Sequence, residues 1–80
     1  MATEKKRWKY TLALHKPNSL SSKRIAAGTA RKPMTKREII SALSSKHSIP
    51  AKFVYDGRIG LYTLYKARTH NHYYILIFER

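Results

Sequence analysis

The sequence predicts an α+β domain of order β-α-β-β-β. It is read as a four-stranded, mainly antiparallel sheet with one main helix on one face and a long basic excursion between the first strand and the helix. Three observations lead to this. Residues 7–16, RWKYTLALHK, alternate apolar and polar, the period of a strand with one buried face. One window near 35–47 has helical spacing together with a start signal and a stop signal. From residue 51 onward the texture is aromatic and β-branched, broken only by short polar turns.

In the first strand, Trp8, Tyr10, Leu12 and Leu14 point one way and Lys9, Thr11, Ala13 and His15 the other; Pro17 removes a ladder donor and ends it. The stretch that follows, KPNSLSSKRIAAGTARKPMTKREI over 16–39, has seven Lys or Arg before its first acid, Glu38. It is too long for an ordinary turn, and such loops are generally functional. Residues 17–34 are expected to form a basic loop with a short helix over 23–27, capped by Ser21 or Ser22 and stopped at Gly28. Leu20 and Ile25 would pin that loop to the core.

The main helix is placed at 36–47. Thr35 and Glu38 match a capping box, and Met34 with Ile39 a hydrophobic staple. Ile39, Ile40, Ala42 and Leu43 form a short apolar stripe. Lys46 and His47 suit the carbonyl end, and Pro50 blocks continuation. A strand over KFVY then closes at Asp56–Gly57, read as a hairpin turn. RIGLYTLYKAR follows with Gly60 as a bulge, then the turn THNH and the last strand YYILIFER. Both faces of the last two strands are apolar, whereas a sheet with one solvated face alternates. Either these strands lie at the sheet centre with the basic stretch folded over their far side, or that far side meets another molecule. A homodimer through the open sheet face is one such arrangement.

Eighty residues make one domain, with 1–6 read as a disordered tail. A chain of this length removes roughly 60–65% of its surface from water, so the core is small. There is no cysteine, hence no disulfide framework and no thiolate metal site. No signal peptide or membrane span is read, and a cytoplasmic location is expected, with association to nucleoid or ribonucleoprotein as a further option.

Charge carries the functional expectation. Seventeen Lys and Arg face four acids for a net +13, and eleven of the seventeen lie between Glu4 and Glu38. A field of that sign fits a polyanionic partner, most often nucleic acid. Lys36 and Arg37 sit in the first helical turn, where the macrodipole disfavours cations, and an anion docking at the free amides would account for them. The nucleic-acid-binding residues are accordingly taken as Lys16, Lys23, Arg24, Arg31, Lys32, Lys36 and Arg37. Nine aromatics, six of them Tyr, also suit base stacking, although packing accounts for most of them.

No catalytic residues, cofactor or metal site are read from the sequence. His70 and His72 flank a turn residue, and a polar turn explains them more simply than a metal does. The expectation is a non-enzymatic module binding nucleic-acid phosphates, DNA or RNA, through 16–37. The alternative is a small adaptor or inhibitor that docks on a larger nucleic-acid-processing enzyme or complex. A third reading is a metal-free ribonuclease using Arg68, His70, His72 and a tyrosine.

Overall fold

A computed structural model of the protein describes residues 5–17 and 22–79. The chain is α+β, with five strands rather than four: β1 (Lys9–His15), β2 (Ser22–Thr29), α1 (Lys36–His47), β3 (Val54–Ile59), β4 (Tyr62–Arg68) and β5 (Tyr73–Glu79). They form one antiparallel sheet of order β2-β1-β5-β4-β3.

The extra strand corrects the reading of 17–34 as a loop with a short helix. Residues 23–27 are extended, and β2 returns antiparallel along β1. A bulge hides it from pattern analysis. Leu12 pairs with Ala26 and Ala13 with Arg24, which leaves Ile25 as the extra residue. Such a residue breaks the period of two and bends the strand, and here Ile25 packs against the core. The positions named as cap and pin, Leu20 and Ser21, lie outside the described residues. Gly28 accepts the Tyr10 ring, whose hydroxyl lies 3.7 Å from where a Cβ would stand.

Trp8, Leu12, Ile39, Leu43, Leu76 and Phe78 form the centre of the core, where α1 covers one sheet face. The pairing register explains the selection, since residues directly opposite across antiparallel strands share a face. Tyr10 pairs with Phe78 and Leu12 with Leu76, while Leu76 continues to Tyr65 on β4. Trp8, Phe78, Tyr65 and Tyr55 make a chain of edge-to-face rings with centroids 5.7–6.0 Å apart, the arrangement that ring quadrupoles favour.

The helix starts and stops where its signals lie. The Thr35 N–H donates to Glu38 Oε1 at 2.9 Å and the Glu38 N–H to Thr35 Oγ1 at 3.1 Å. Ser48, left-handed at φ 53°, ends it. The Ile49 N–H reaches back to the Ser44 carbonyl, satisfying one of the orphan acceptors of a helix end.

The β3–β4 hairpin corrects a second expectation. Its turn is Gly60–Leu61, not Asp56–Gly57: Ile59 pairs with Tyr62, Gly60 has φ 58°, and among the described residues Ser48 is the one non-glycine with positive φ. Glycine alone at the first central position matches a II′ turn. Asp56–Gly57 is instead a bulge inside β3, with Gly57 at φ 125°. The turn at THNH stands, closed by Thr69 N–H and Oγ1 both donating to the His72 carbonyl. β5 is the central strand, but the basic stretch does not fold over its far side: it forms the edge strand β2.

Candidate nucleic-acid interface

Two cationic regions result, because β2 runs between the residues assigned to one site. Lys16, Lys23 and Arg24 lie at the β1–β2 hairpin end, and Arg31, Lys32, Lys36 and Arg37 at the other end of β2. Eight residues of strand separate Lys23 from Arg31 by roughly 25 Å at ~3.3 Å per residue. The molecule measures 36 × 28 × 24 Å, so these groups stand near opposite sides and do not share one phosphate.

The basic end is built by backbone pairing. Lys6 and Met34 exchange two hydrogen bonds of 3.1 Å, the Ala30 N–H donates to the Trp8 carbonyl at 3.0 Å, and Arg7 Nε donates to the Ala30 carbonyl at 3.1 Å. Residues 6–8 are thereby laid against 30–34. This corrects the disordered tail assigned to 1–6 at Lys6; residues 1–4 lie outside the described residues. It also adds Lys5, Lys6 and Arg7 to the neighbourhood of Arg31, Lys32 and the start of α1. The signal for these three was present as the KKR run ahead of an alternating strand, but only pairing with 30–34 gives it meaning.

Within this end the cations divide into two kinds. Lys5, Arg7, Arg31, Lys32 and Arg37 are exposed. Lys6 and Lys36 are half-buried, with their ammonium groups 4.4 and 4.8 Å from the centre of the Trp8 ring; that of Lys36 is also 5.9 Å from the Tyr65 ring. An aromatic face attracts a cation, so the fold itself supplies a reason for Lys36 in the first helical turn. Its conflict with the helix dipole is therefore not, alone, a sign of a bound anion. The Trp8 indole beneath is buried, and among the described residues its Nε1–H has no hydrogen-bond partner. Among the described residues the one acid here is Glu38. The Thr35 backbone N–H holds its carboxyl below the usual glutamate range, aided by the Thr35 hydroxyl and the charges of Lys5 and Lys32.

At the other end, the sheet face away from α1 carries its own pattern. His15 lies opposite Tyr73, and Arg68 opposite Tyr73 on the far side; one row along, Arg24 pairs with Ala13 and Lys66 with Ile75. The His15 and Tyr73 rings are parallel within 5°, with centroids 5.3 Å apart. Lys66 Nζ stands 4.3 Å from the Tyr73 ring centre. At the β3–β4 turn of the same sheet Ile59, Leu61 and Tyr62 are exposed, and Val54 is exposed at the other end of β3.

Arg68 and His72, named for the ribonuclease reading, are turned apart. His72 Nε2 lies 3.2 Å from the Tyr74 hydroxyl, on the helix-covered side with Ala67, whereas Arg68 shares the open face with Tyr73. Among the described residues no three His, Cys, Asp or Glu are grouped to hold a metal ion, and no helix is long and apolar enough to cross a membrane.

No family model matches the chain, and comparison with curated proteins and with solved structures finds no match.

Proposed function

We propose that the protein is a non-enzymatic module that binds nucleic-acid phosphates through its basic end. The supporting observation is the convergence of exposed Lys5, Arg7, Arg31, Lys32 and Arg37 beside the start of α1, with Glu38 the one acid there among the described residues. Three separate stretches of backbone, 5–7, 31–32 and the start of α1, would not otherwise be gathered there at the cost of mutual repulsion. If each of the five meets one phosphate of a duplex, the log–log dependence of affinity on salt has a slope of about −4.5.

The test is binding of a labelled oligonucleotide across a salt series, with two charge-reversal variants. Arg31→Glu with Lys32→Glu should weaken binding and flatten the slope by about two. The control pair, Lys46→Glu with Lys52→Glu, removes the same charge from elsewhere. Equal losses from both pairs would reduce the interaction to net charge and sink the assignment.

The exposed apolar corner of Ile59, Leu61 and Tyr62 favours the second reading, an adaptor or inhibitor docked on a larger protein, because such patches mark protein contacts. Absence of salt-dependent polynucleotide binding would move the assignment there.

A further inference from the structure

We infer that the open face of the sheet is a platform for single-stranded nucleic acid. Bases stack at the His15–Tyr73 pair, and the backbone phosphates are taken by Arg24, Lys66 and Arg68. The inference rests on the reading of nucleic acid as the partner, but it uses a different surface from the basic end.

Four features of the face lead to it. The first is the ring pair. His15 and Tyr73 stand parallel across the β1–β5 pairing, and the next residue in that row, on β2, is the small Ser22. Neighbouring strands are about 4.8 Å apart, so a base that continues the stack beyond His15 would lie over this small residue. The second is Lys66, whose ammonium covers Tyr73. A cation on a half-buried ring at the sheet surface is held less strongly than a stacked base. An arriving base therefore displaces it, and the freed ammonium is then beside that nucleotide's phosphate.

The third feature is charge. Lys9, Arg24, Lys66 and Arg68 share the face with Glu79, which stands opposite Lys9 at the far end of the sheet. Asp56, in the β3 bulge, borders Lys66 and Arg68, and Lys52 beside it offsets that acid. The surroundings of the rings remain net cationic and complement a polyanion. The fourth is the uncharged middle of β5, Ile75 and Ile77, both half-buried. A duplex presents phosphates and leaves this strip unmet, whereas a single strand can lay unstacked bases on it. A second copy of the chain would also cover the strip, but it would set Arg24, Lys66 and Arg68 against their own kind.

The experiment compares uridine and thymidine oligomers of ten nucleotides with a duplex of equal length, using the whole protein and fluorescence anisotropy at physiological salt. Tighter binding of the single strands than of the duplex is expected, the uridine and thymidine arms separating RNA from DNA. Tyr73→Leu should weaken single-strand binding roughly tenfold and leave duplex binding unchanged, and Tyr73→Phe should retain it. Should Tyr73→Leu fail to fold, Lys66→Gln with Arg68→Gln gives an independent reading: a single-strand salt slope shallower by about 1.4. If single strand and duplex bind alike, respond to Arg31→Glu with Lys32→Glu and ignore all open-face changes, the platform is overturned while the basic-end reading survives. Binding of no polynucleotide overturns both. A dimer at assay concentration that is dissolved by Ile75→Lys overturns the platform in favour of a second copy.

Discussion

The two faces of the sheet are made from the same chemistry and meet different fates. Along β5, Ile75, Leu76, Ile77 and Phe78 are all large and apolar. Leu76 and Phe78 are fully buried under α1, while Ile75 and Ile77 on the other face are only half-buried. Residue type therefore does not decide burial here; the one-residue alternation of the strand does, because it assigns each side chain to the covered or the open side. An apolar open face that folding does not use fully is the kind of surface that partners use.

The sharpest way to break this contrast is truncation on each side. Leu76→Ala should destabilise the protein by about 2–5 kcal/mol, a large part of the roughly 5–15 kcal/mol available to a domain. Ile77→Ala should cost about 1 kcal/mol, since part of its surface already meets water. Urea denaturation of both variants checks this. Equal losses would mean that the open face is covered in solution, and the contrast would fail.

The glycines of the edge strands test the backbone in the same terms. Gly57→Ala places a side chain at φ 125° and should cost about 1–3 kcal/mol. Gly28→Ala, with ordinary contact distance to the Tyr10 ring, should be neutral or gain up to about 1 kcal/mol. The two midpoints compared by thermal melting decide it. Weakening the cover itself comes next: Thr35→Ala removes the α1 cap and should cost about 1 kcal/mol, read by urea denaturation alongside the loss of helical circular dichroism.

The smallest effects are those of pH, and the covered side and the helix start lie at opposite ends of the scale. Burial pushes the Tyr65 phenol up, with Tyr55 adding to it. The folded state therefore holds that proton more tightly, and its contribution is present below the ordinary tyrosine range and lost as pH rises through the raised value. The lowered Glu38 carboxyl acts the other way. Its contribution is present above the ordinary glutamate range and lost as pH falls through the depressed value. Melting temperature against pH should show a shallower alkaline limb in Tyr65→Phe and a shallower acid limb in Glu38→Gln.

What the sequence revealed follows the range of the interactions involved. The helix bounds and capping box are local signals, the start complete within four residues of Thr35 and the stop within a few residues of Ser48, and they were legible. So were the alternation of β1 and the central position of β5. The second strand was not. Ile25 interrupts its period, Ala26, Ala27 and Gly28 are weak strand formers, and what makes the segment a strand is the free edge of β1. At the hairpin two glycine signals lie three residues apart, Gly57 and Gly60. Only the register with β4 decides which one turns and which one bulges. The cationic segment was visible as charge, but its division into two ends depended on knowing that eight of its residues are extended.

The sheet order places β1 beside β5 at its centre, with Leu12 against Leu76. The β1–β2 hairpin and the β3–β4–β5 meander are each joined by short connections, yet the seam between them closes nearly the whole chain into one loop. Closing it costs more entropy than either local unit, and topologies dominated by such pairings fold slowly. On the ribosome, β1 must wait with one long edge bare until the last strand emerges. During that interval the strand that carries Leu12 of the core is the part of the nascent chain most open to mispairing.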